Sequence, residues 1–152
     1  MTNISVGTVA DIGAIMPVMA SAFDPAFGEA WSADQVRGAL SMPGCSLLIM
    51  RSDADVEGFA LIRIILDEAE LLLIAIDRAA QQRGRGKSLF HQTADFAKEE
   101  RVKRLHVEVR EDNPATKFYV DLGFVKVGER PNYYRRTDGG PTNAVTFVYG
   151  IS

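Results

Sequence analysis

Two glycines before an amphipathic helix give this sequence its clearest chemical signal. The stretch from Leu71 to Lys87 reads LLLIAIDRAAQQRGRGK, an apolar strand followed by a connector and a turn at Gly84 and Gly86. The first amides of a helix have no intrahelical partner, and the peptide dipoles give that end a partial positive charge. Because glycine has no Cβ, the turn can adopt positive φ and let a pyrophosphate approach the main chain. The amides from Gln82 to Lys87 are therefore predicted to form a phosphate-binding turn.

Other phosphate motifs do not fit these letters. A Walker A loop ending in Gly86, Lys87 and Ser88 needs glycine at position 81, which is glutamine here. A dinucleotide-binding fingerprint needs a small residue at the position of Leu89. The glycines alone are equally compatible with a plain strand-to-helix turn that binds nothing. The remaining sequence must decide between these readings.

Composition limits the classes of function. With 152 residues, the chain fits one domain spanning residues 1–152, and 47% hydrophobic with 24% charged residues is typical of a globular protein. A net charge of −3 argues against nucleic-acid binding. No stretch resembles a signal peptide or a membrane span, so we expect a cytoplasmic protein without membrane contact. Cys45 is the only cysteine, and a lone cysteine is most often a small core residue. Neither His91 nor His106 has the spacing of a metal ligand. We expect no metal.

Hydrophobic periodicity and turn residues predict the elements that would position the turn. Strands are predicted at Ile4–Val9, Ser46–Met50, Val56–Leu66, Glu70–Ile76, Arg104–Val109, Phe124–Glu129 and Ala144–Tyr149. Helices are predicted from the N-cap Asp11 to about Phe23, from the N-cap Ser32 to Leu40, from Gly86 to about Arg101, and from Pro114 to Leu122. Loops are predicted at Asp24–Ala30 and around Gly139, Gly140 and Pro141.

This order predicts an α/β (α+β) fold, with a mixed, mostly antiparallel sheet of seven strands and four helices. The segment from residue 70 to residue 109 is a strand–helix–strand crossover, which should be parallel and right-handed. Ligands in such sheets bind at the carboxyl ends of strands where neighbouring strands diverge. Ile76, the glycine turn and Val109 should therefore surround one cleft.

Four stretches carry a resemblance to a known family. They are Ala30, Trp31 and Ser32; the run from Gln81 to Gly86, which fits the pattern Gln/Arg-x-x-Gly-x-Gly/Ala; the run LHVEVREDNPATKFYVDLGF from Leu105 to Phe124; and RPNYYRR from Arg130 to Arg136. Together they resemble the GCN5-related N-acetyltransferase (GNAT) superfamily, and most closely its RimI-type ribosomal-protein-alanine acetyltransferases. The resemblance extends over nearly the whole chain.

The resemblance implies an enzyme that transfers acetyl from acetyl-CoA to a primary amine. By that resemblance Glu108 is the general base and Tyr119 the general acid. Binding of the coenzyme falls to Ile74, Ala75, Ile76, Gln82, Arg83, Gly84, Arg85, Gly86, Lys87 and Asn113. Trp31, Tyr133 and Tyr134 form walls of the acceptor groove. The implied partner is a protein amino terminus or another amine, and the protein is expected to be a monomer or a weak homodimer.

Several alternatives stay open at this point. Glu108 alternates with Val107 and Val109 and can be the solvent-facing position of a half-buried strand. Tyr119 can be a core residue, and the aromatic residues at 31, 133 and 134 can be an exposed patch or core beneath a loop. The loop before Tyr119 is one residue shorter than in most RimI-type enzymes, so either Asp112 or Asn113 can take the asparagine role.

The family pattern also breaks on the acceptor side. Arg135 follows the tyrosine pair where proline is usual, and Asn143 stands before Ala144 where an acidic residue is usual. Three functions therefore remain: an acetyltransferase for protein amino termini, one for small-molecule amines or lysine side chains, and a non-catalytic acyl-CoA-binding sensor. The presence of both Glu108 and Tyr119 argues against the sensor, which needs neither.

Overall fold

The computed structural model describes residues 2–23, 30–135 and 140–151, without the side chains at 2, 3, 82, 83 and 135. The predicted loop Asp24–Ala30, apart from Ala30, and Gly139 lie outside the described residues. The strands are β1 (Thr2–Gly7), β2 (Cys45–Ser52), β3 (Asp55–Ile65), β4 (Glu68–Ile76), β5 (Arg104–Arg110), β6 (Val125–Arg135) and β7 (Pro141–Gly150). The helices are α1 (Ile12–Ala22), α2 (Ala33–Leu40), α3 (Arg85–Glu99) and α4 (Ala115–Leu122).

All seven strands form one sheet in the order β1-β2-β3-β4-β5-β7-β6. Neighbouring strands are antiparallel except β4 and β5, which are parallel and connected through α3. This confirms the predicted mixed sheet with one central crossover. The crossover matters for function because it brings the carboxyl ends of β4 and β5 to the same edge.

The parallel pair β4–β5 separates soon after it begins. Its register contains only three pairs, from Glu68 with Arg104 to Glu70 with His106. Beyond that point β4 stays hydrogen-bonded to β3, and β5 stays hydrogen-bonded to β7. The two strands therefore diverge towards their carboxyl ends and leave a gap in the middle of the sheet.

Each face of the sheet carries its own hydrophobic core. On one face, Leu89 and Phe90 of α3 pack with Leu105 and Tyr119, as the helical spacing of the apolar residues in α3 requires. On the other face, Ile15 and Val36 belong to a cluster that includes Phe59. No helix within the described ranges has the length and apolar character needed to cross a bilayer. The two helical layers hold the sheet from both sides and leave the gap accessible.

The amino-terminal prediction is wrong in one detail. Strand β1 ends at Gly7, and Val9–Asp11 form a short 3-10 helix rather than the end of the strand. Asp11 holds the N-cap position of α1, as predicted, but its side chain makes no capping hydrogen bond there; its carboxylate instead accepts the Thr8 N–H at 2.8 Å in a capping box around the short helix. The Ser32 cap of α2 is confirmed, since its hydroxyl accepts the Gln35 N–H at 3.1 Å.

The final hairpin is longer than predicted. Strand β6 continues to Arg135 and β7 begins at Pro141, so Tyr133 and Tyr134 lie in a strand rather than in a loop. The sequence signal failed at Pro131, which has no N–H to donate to a ladder and normally marks a strand end. A bulge between Arg130 and Tyr134 accommodates it. This extension lets the Tyr134 side chain reach across β7 to Glu108 of β5.

Candidate active site

The gap between β4 and β5 is a cavity of about 900 Å³. Residues from both strands, from α1, α2, α3 and α4, and from β6 line it, so the cavity passes from one side of the sheet to the other. Glu108, Tyr119 and Gly86 all lie on its wall. The cleft predicted around Ile76, the glycine turn and Val109 is therefore present in the structure.

The wall formed by β4 contains Ile74, Ala75 and Ile76. These residues pair with β3 through Ala60, Phe59 and Gly58, while no β5 partner is recorded in the described register beyond Glu70. One edge of β4 therefore faces the cavity with main-chain groups that a ligand can use, as an added strand would. This is the arrangement expected for binding an extended amide-containing chain.

The glycine turn follows β4 through a short 3-10 helix, Arg78–Arg83, whose first turn is capped by Asp77. Gly84 has φ 71°, in the left-handed region, and its carbonyl accepts the Ser88 N–H at 3.1 Å. Ser88 thus makes the first amide-to-carbonyl bond of α3, and the amides of residues 85–87 precede it. The predicted phosphate-binding turn has the required backbone conformation at Gly84.

Gly86 contributes differently from the prediction. It lies in α3 without positive φ, so it does not bend the turn. A Cβ built at Gly86 would lie 3.4 Å from Phe118 Cε1 and 3.7 Å from Ile76 Cγ1. The missing side chain therefore keeps the space between α4 and β4 open at the cavity wall.

The basic residues of the turn are not equally available. Arg85 Nε lies 3.0 Å from Glu57 Oε2 of β3, an ion pair of two buried atoms without the alignment of a hydrogen bond. Lys87 is exposed, whereas the side chains of Gln82 and Arg83 lie outside the described residues. Glu57 therefore holds the Arg85 side chain against the sheet, and its positive charge is already paired.

Glu108 lies on β5 opposite Thr146, on the face away from the buried Val107 and Val109. Its side chain is 29% exposed and lines the cavity. Tyr134 donates its hydroxyl hydrogen to Glu108 Oε1 at 3.4 Å, and Arg130 Nε lies 4.0 Å from Oε2. A carboxylate held by a donor and facing a cavity is suited to accept a proton from a bound ligand.

Tyr119 reaches the same cavity from α4. It is only 6% exposed and packs edge-on against Phe118 and Phe124. The core-packing alternative therefore describes its ring correctly, but the residue also lines the cavity. Glu108 and Tyr119 border one space from different elements.

The structure separates the two candidates for the asparagine role. Asn113 lines the cavity, and its Oδ1 accepts the Ala115 N–H at 2.8 Å, which caps α4. Asp112 instead pairs with Arg110, with Nε 3.2 Å from Oδ1. Of the two, Asn113 is the residue in position to contact a molecule in the cleft.

The three aromatic residues predicted as groove walls have different positions. Trp31 and Tyr134 line the cavity, and Trp31 also packs against the core beneath α1 and α2. Tyr133 is not among the lining residues; it is 54% exposed and packs edge-on behind Tyr134 with ring centroids 5.0 Å apart. Tyr133 can therefore support the wall but does not form its surface.

Sequence reasoning missed Arg110, which is nearly buried on the Glu108 face of β5. It lines the cavity, and its guanidinium lies 5.8 Å from the centre of the Tyr134 ring. The alternation of β5 contains this signal, since residues 108 and 110 must share a face. The contact with Tyr134 was not predictable, because it depends on the extended hairpin.

Cys45 and the acidic and histidine side chains outside the cavity are the groups to compare with the requirements of a second reactive site, for the residues that the structure describes. Burial raises the pKa of the Cys45 thiol; the charge of Arg63 opposes this increase and Glu70 adds a smaller one, so the thiolate is disfavoured. Within the described part of the chain, no group of three or more His, Cys, Asp or Glu residues is arranged to hold a metal ion.

Comparison with known proteins supports the resemblance read from the motifs. A model of the acetyltransferase (GNAT) family matches residues 15–124. The [ribosomal protein bS18]-alanine N-acetyltransferase of Haemophilus influenzae is 44% identical over 60% of this chain. The chain matches 62% of the length of that relative. A putative enzyme of the same name from Bacillus subtilis is 31% identical over 91% of this chain and 89% of its own length.

A solved structure extends the similarity to the fold. The crystal structure of the ribosomal-protein-S18-alanine N-acetyltransferase from Escherichia coli superposes with a TM-score of 0.87 and 30% identity. The alignment covers 100% of this chain and 95% of that one. The predicted resemblance to the family, and to its RimI-type members, is confirmed.

Proposed function

The chain belongs to the acetyltransferase (GNAT) family, and we propose that it transfers acetyl from acetyl-CoA to the α-amino group of a protein amino terminus. The observation that carries this proposal is one cavity bordered by Glu108, Tyr119 and Gly86, the last in the first turn of α3. A carboxylate, a phenol and a helix amino terminus at one gap are the groups that acetyl transfer from a phosphorylated thioester requires.

The residues present fit acetyl-CoA. The left-handed Gly84 and the first amides of α3 suit a diphosphate, and the unpaired edge of β4 suits the amides of the pantetheine arm. The space left by Gly86 keeps the path between them open. When bound, acetyl-CoA supplies the thioester carbonyl that an amine attacks. We assign Ile74, Ala75, Ile76, Gly84, Gly86 and Asn113 to its binding, together with the main chain from Gln82 to Lys87.

Glu108 acts as the general base in this proposal. An amine must lose a proton to form the new bond, and Glu108 Oε1 or Oε2 accepts it, directly or through one water. An α-amino group has a pKa of about 8, against about 10.4 for lysine, so its deprotonation costs less near neutral pH. The Tyr134 hydroxyl and the Arg130 guanidinium lie beside this carboxylate and orient it towards the cavity.

Tyr119 acts as the general acid. Its hydroxyl hydrogen passes to the departing sulfur, whose reference pKa of about 8.5 is close enough to the tyrosine value of about 10 for efficient transfer. The aromatic packing of Tyr119 against Phe118 and Phe124 fixes the ring, so the hydroxyl needs no reorganisation. Glu108 and Tyr119 then serve opposite proton transfers at one cavity.

The acceptor proposed is the amino-terminal alanine of a small-subunit ribosomal protein. Its support is the name shared by the bacterial relatives, ribosomal protein bS18-alanine N-acetyltransferase. The acceptor amine would enter on the Glu108 side of the sheet, between Trp31 and Tyr134. A ribosomal acceptor would also agree with the cytoplasmic location expected from the sequence.

Peptide acetylation measured by mass spectrometry tests the proposal. The acceptor panel contains a peptide with a free amino-terminal alanine, the same peptide with a blocked amino terminus and an internal lysine, and small primary amines. We expect turnover on the first substrate only. Turnover on the blocked peptide or on small amines alone would contradict the acceptor assignment. Stabilisation by acetyl-CoA without any turnover would instead identify a binding domain.

A further inference from the structure

The bulge of β6 between Arg130 and Tyr134 is held by one side chain from the neighbouring strand β7. Asn143 of β7 accepts the Asn132 N–H on its Oδ1 at 2.9 Å. Its Nδ2 donates to Glu129 Oε1 at 2.6 Å and to Glu111 Oε2 at 2.7 Å. Asn143 therefore connects three segments: the strand before the bulge, the bulge itself and the loop that follows β5.

The bulge needs such a connection because its backbone cannot form a regular ladder. Pro131 has no N–H, and Asn132 adopts the left-handed conformation with φ 57°. Direct pairing with β7 is interrupted between Arg130 and Tyr134. The Asn143 side chain supplies the acceptor that the ladder lacks at Asn132, so it fixes the direction in which the strand resumes.

The strand resumes with the tyrosine pair. Tyr134 follows the bulge, lines the cavity and donates to Glu108 at 3.4 Å, while Arg130 precedes the bulge and lies 4.0 Å from the same carboxylate. Both groups beside Glu108 are thus attached to the segment that Asn143 holds. A shift of the bulge would move the acceptor wall relative to the proposed base.

We propose that Asn143 is a positioning residue for the acceptor side of the cleft, acting through Tyr134 on the binding of the acceptor amine. The inference rests on the proposed function, because it assigns the Glu108 side to the acceptor. An amide suits this role better than a carboxylate would. It accepts from the main chain and donates to two carboxylates at once, whereas aspartate would repel both Glu111 and Glu129.

The primary test compares Asn143→Ala with wild type in steady-state kinetics. Loss of hydrogen bonds that involve charged groups should raise the KM of the acceptor peptide by about tenfold. The KM of acetyl-CoA should change little, because Tyr134 is the only residue in the described part of this hairpin that lines the cavity. A purely structural role would instead lower the folded fraction, reducing kcat with both KM values unchanged, and would overturn the proposal.

A control and a rescue separate the position of Asn143 from general loosening of the hairpin. Lys126→Ala removes the neighbouring Lys126 Nζ–Glu129 Oε2 contact of 3.5 Å but leaves the bulge intact, so the KM of the acceptor should stay near wild type. Asn143→Asp combined with Glu111→Gln and Glu129→Gln reverses donor and acceptor at both contacts, since two glutamine amides then donate to one carboxylate at 143, which still accepts the Asn132 N–H. This triple variant should recover most of the acceptor affinity, and failure to recover it would contradict the hydrogen-bond mechanism.

A double-mutant cycle tests whether Asn143 acts through Tyr134. In a Tyr134→Ala background, Asn143→Ala should add little further increase in acceptor KM, because the affected wall is already absent. Multiplicative effects would show that the two residues act independently and would overturn the proposal.

Hydrogen exchange provides a readout that does not need turnover. The Asn132 amide should exchange faster in Asn143→Ala and return towards wild type in the triple variant with Asn143→Asp, Glu111→Gln and Glu129→Gln. The NMR signals of the Tyr134 ring should shift and recover in the same order. If wild type failed to acetylate peptides, the proposed function would fall, while these signals would still decide whether Asn143 positions Tyr134. Unchanged Asn132 exchange and Tyr134 signals would overturn the positioning role.

Discussion

The two sides of the cleft use different parts of the polypeptide, main chain on one side and side chains on the other. The proposed coenzyme side depends on the main chain: the unpaired edge of β4, the left-handed Gly84 and the first amides of α3. The proposed acceptor side depends on side chains: Glu108 and Arg110 on β5, with Trp31 and Tyr134 facing them. Main-chain sites are fixed by backbone conformation, whereas side-chain sites depend on partners far away in the sequence.

This contrast explains how one half of such a cleft can stay constant while the other half changes. Side chains on the coenzyme side can vary widely as long as the backbone keeps its conformation. Arg85, for example, forms an ion pair with Glu57 of the sheet rather than facing the cavity. On the acceptor side, each substitution changes the chemistry that a ligand meets. The departures from the family pattern at Arg135 and Asn143 both fall on the acceptor hairpin. We expect the coenzyme to be shared with the relatives and the acceptor preference to be tuned by the hairpin.

Glu108→Gln should have the largest effect on kcat/KM and should leave the coenzyme side of the cleft unchanged. Loss of a general base lowers kcat/KM by roughly 10²–10⁴-fold, while acetyl-CoA binding stays near wild type because the main-chain wall is untouched. The deficit should shrink as the pH rises through the amine pKa of about 8, where the acceptor loses its proton without help. A pH–rate profile together with thermal shift by acetyl-CoA measures both. A defect that is the same at every pH would remove Glu108 as the base.

Tyr119→Phe should slow the chemical step without weakening the binding of acetyl-CoA or of the acceptor. The ring packing is kept, so the protein should fold normally, but kcat should fall by about 10²-fold, at the lower end of general acid catalysis, since thiolate leaves readily. The KM of the acceptor and of acetyl-CoA should remain close to wild type. Burst-free steady-state kinetics with a thiol-detecting reagent gives these values, and wild-type kcat would show that the phenol donates no proton.

Gly84→Val should weaken the binding of acetyl-CoA and leave the acceptor side of the cleft unchanged. A β-branched residue at φ 71° costs about 1–3 kcal/mol, so the turn either stores strain or reorients its amides. Acetyl-CoA affinity should fall by about tenfold or more, by the same free energy. Gly84→Asn is the matched control, because asparagine tolerates the left-handed region and open space surrounds this position. Calorimetric titration with acetyl-CoA compares them; equal affinity in Val and Asn variants would place the diphosphate elsewhere.

Glu68→Gln should have the smallest effect, a change in folding stability without a change on either side of the cleft. Glu68 lies at the paired end of β4 and β5, where its pKa is lowered by hydrogen bonds from His106 at 3.1 Å and Arg104 at 3.0 Å. A lowered folded-state pKa contributes stability that is present above the unfolded value of about 4.3 and is lost as the pH falls through the folded value.

Urea unfolding of wild type and Glu68→Gln measures this contribution. The variant should be slightly less stable near neutral pH, and the difference should disappear in acid, with acetylation kinetics unchanged throughout. A difference that persisted below the folded pKa of Glu68 would mean that packing, rather than charge, is responsible.

The parts of the site that the sequence predicted are those with local causes. Gly84 needs only its own missing Cβ, Ser32 caps the helix that begins next to it, and the alternation of β5 places Glu108 on the face away from Val107 and Val109. The wrong details also have identifiable causes. The Asp11 carboxylate binds the Thr8 N–H rather than an amide of α1, and β6 continues past Pro131 through a bulge instead of ending at Glu129. In each case a hydrogen-bond partner or a neighbouring strand outweighed the local preference.

The sequence by itself determined the order of the elements, the turn at Gly84 and the family resemblance, because these depend on periodicity, backbone freedom and short motifs. Only the tertiary structure decided that β4 and β5 separate after three pairs, that Arg85 is paired with Glu57, and that Tyr134 reaches Glu108. These contacts join residues from different elements. Their formation depends on how the sheet and hairpin pack, which no local pattern encodes.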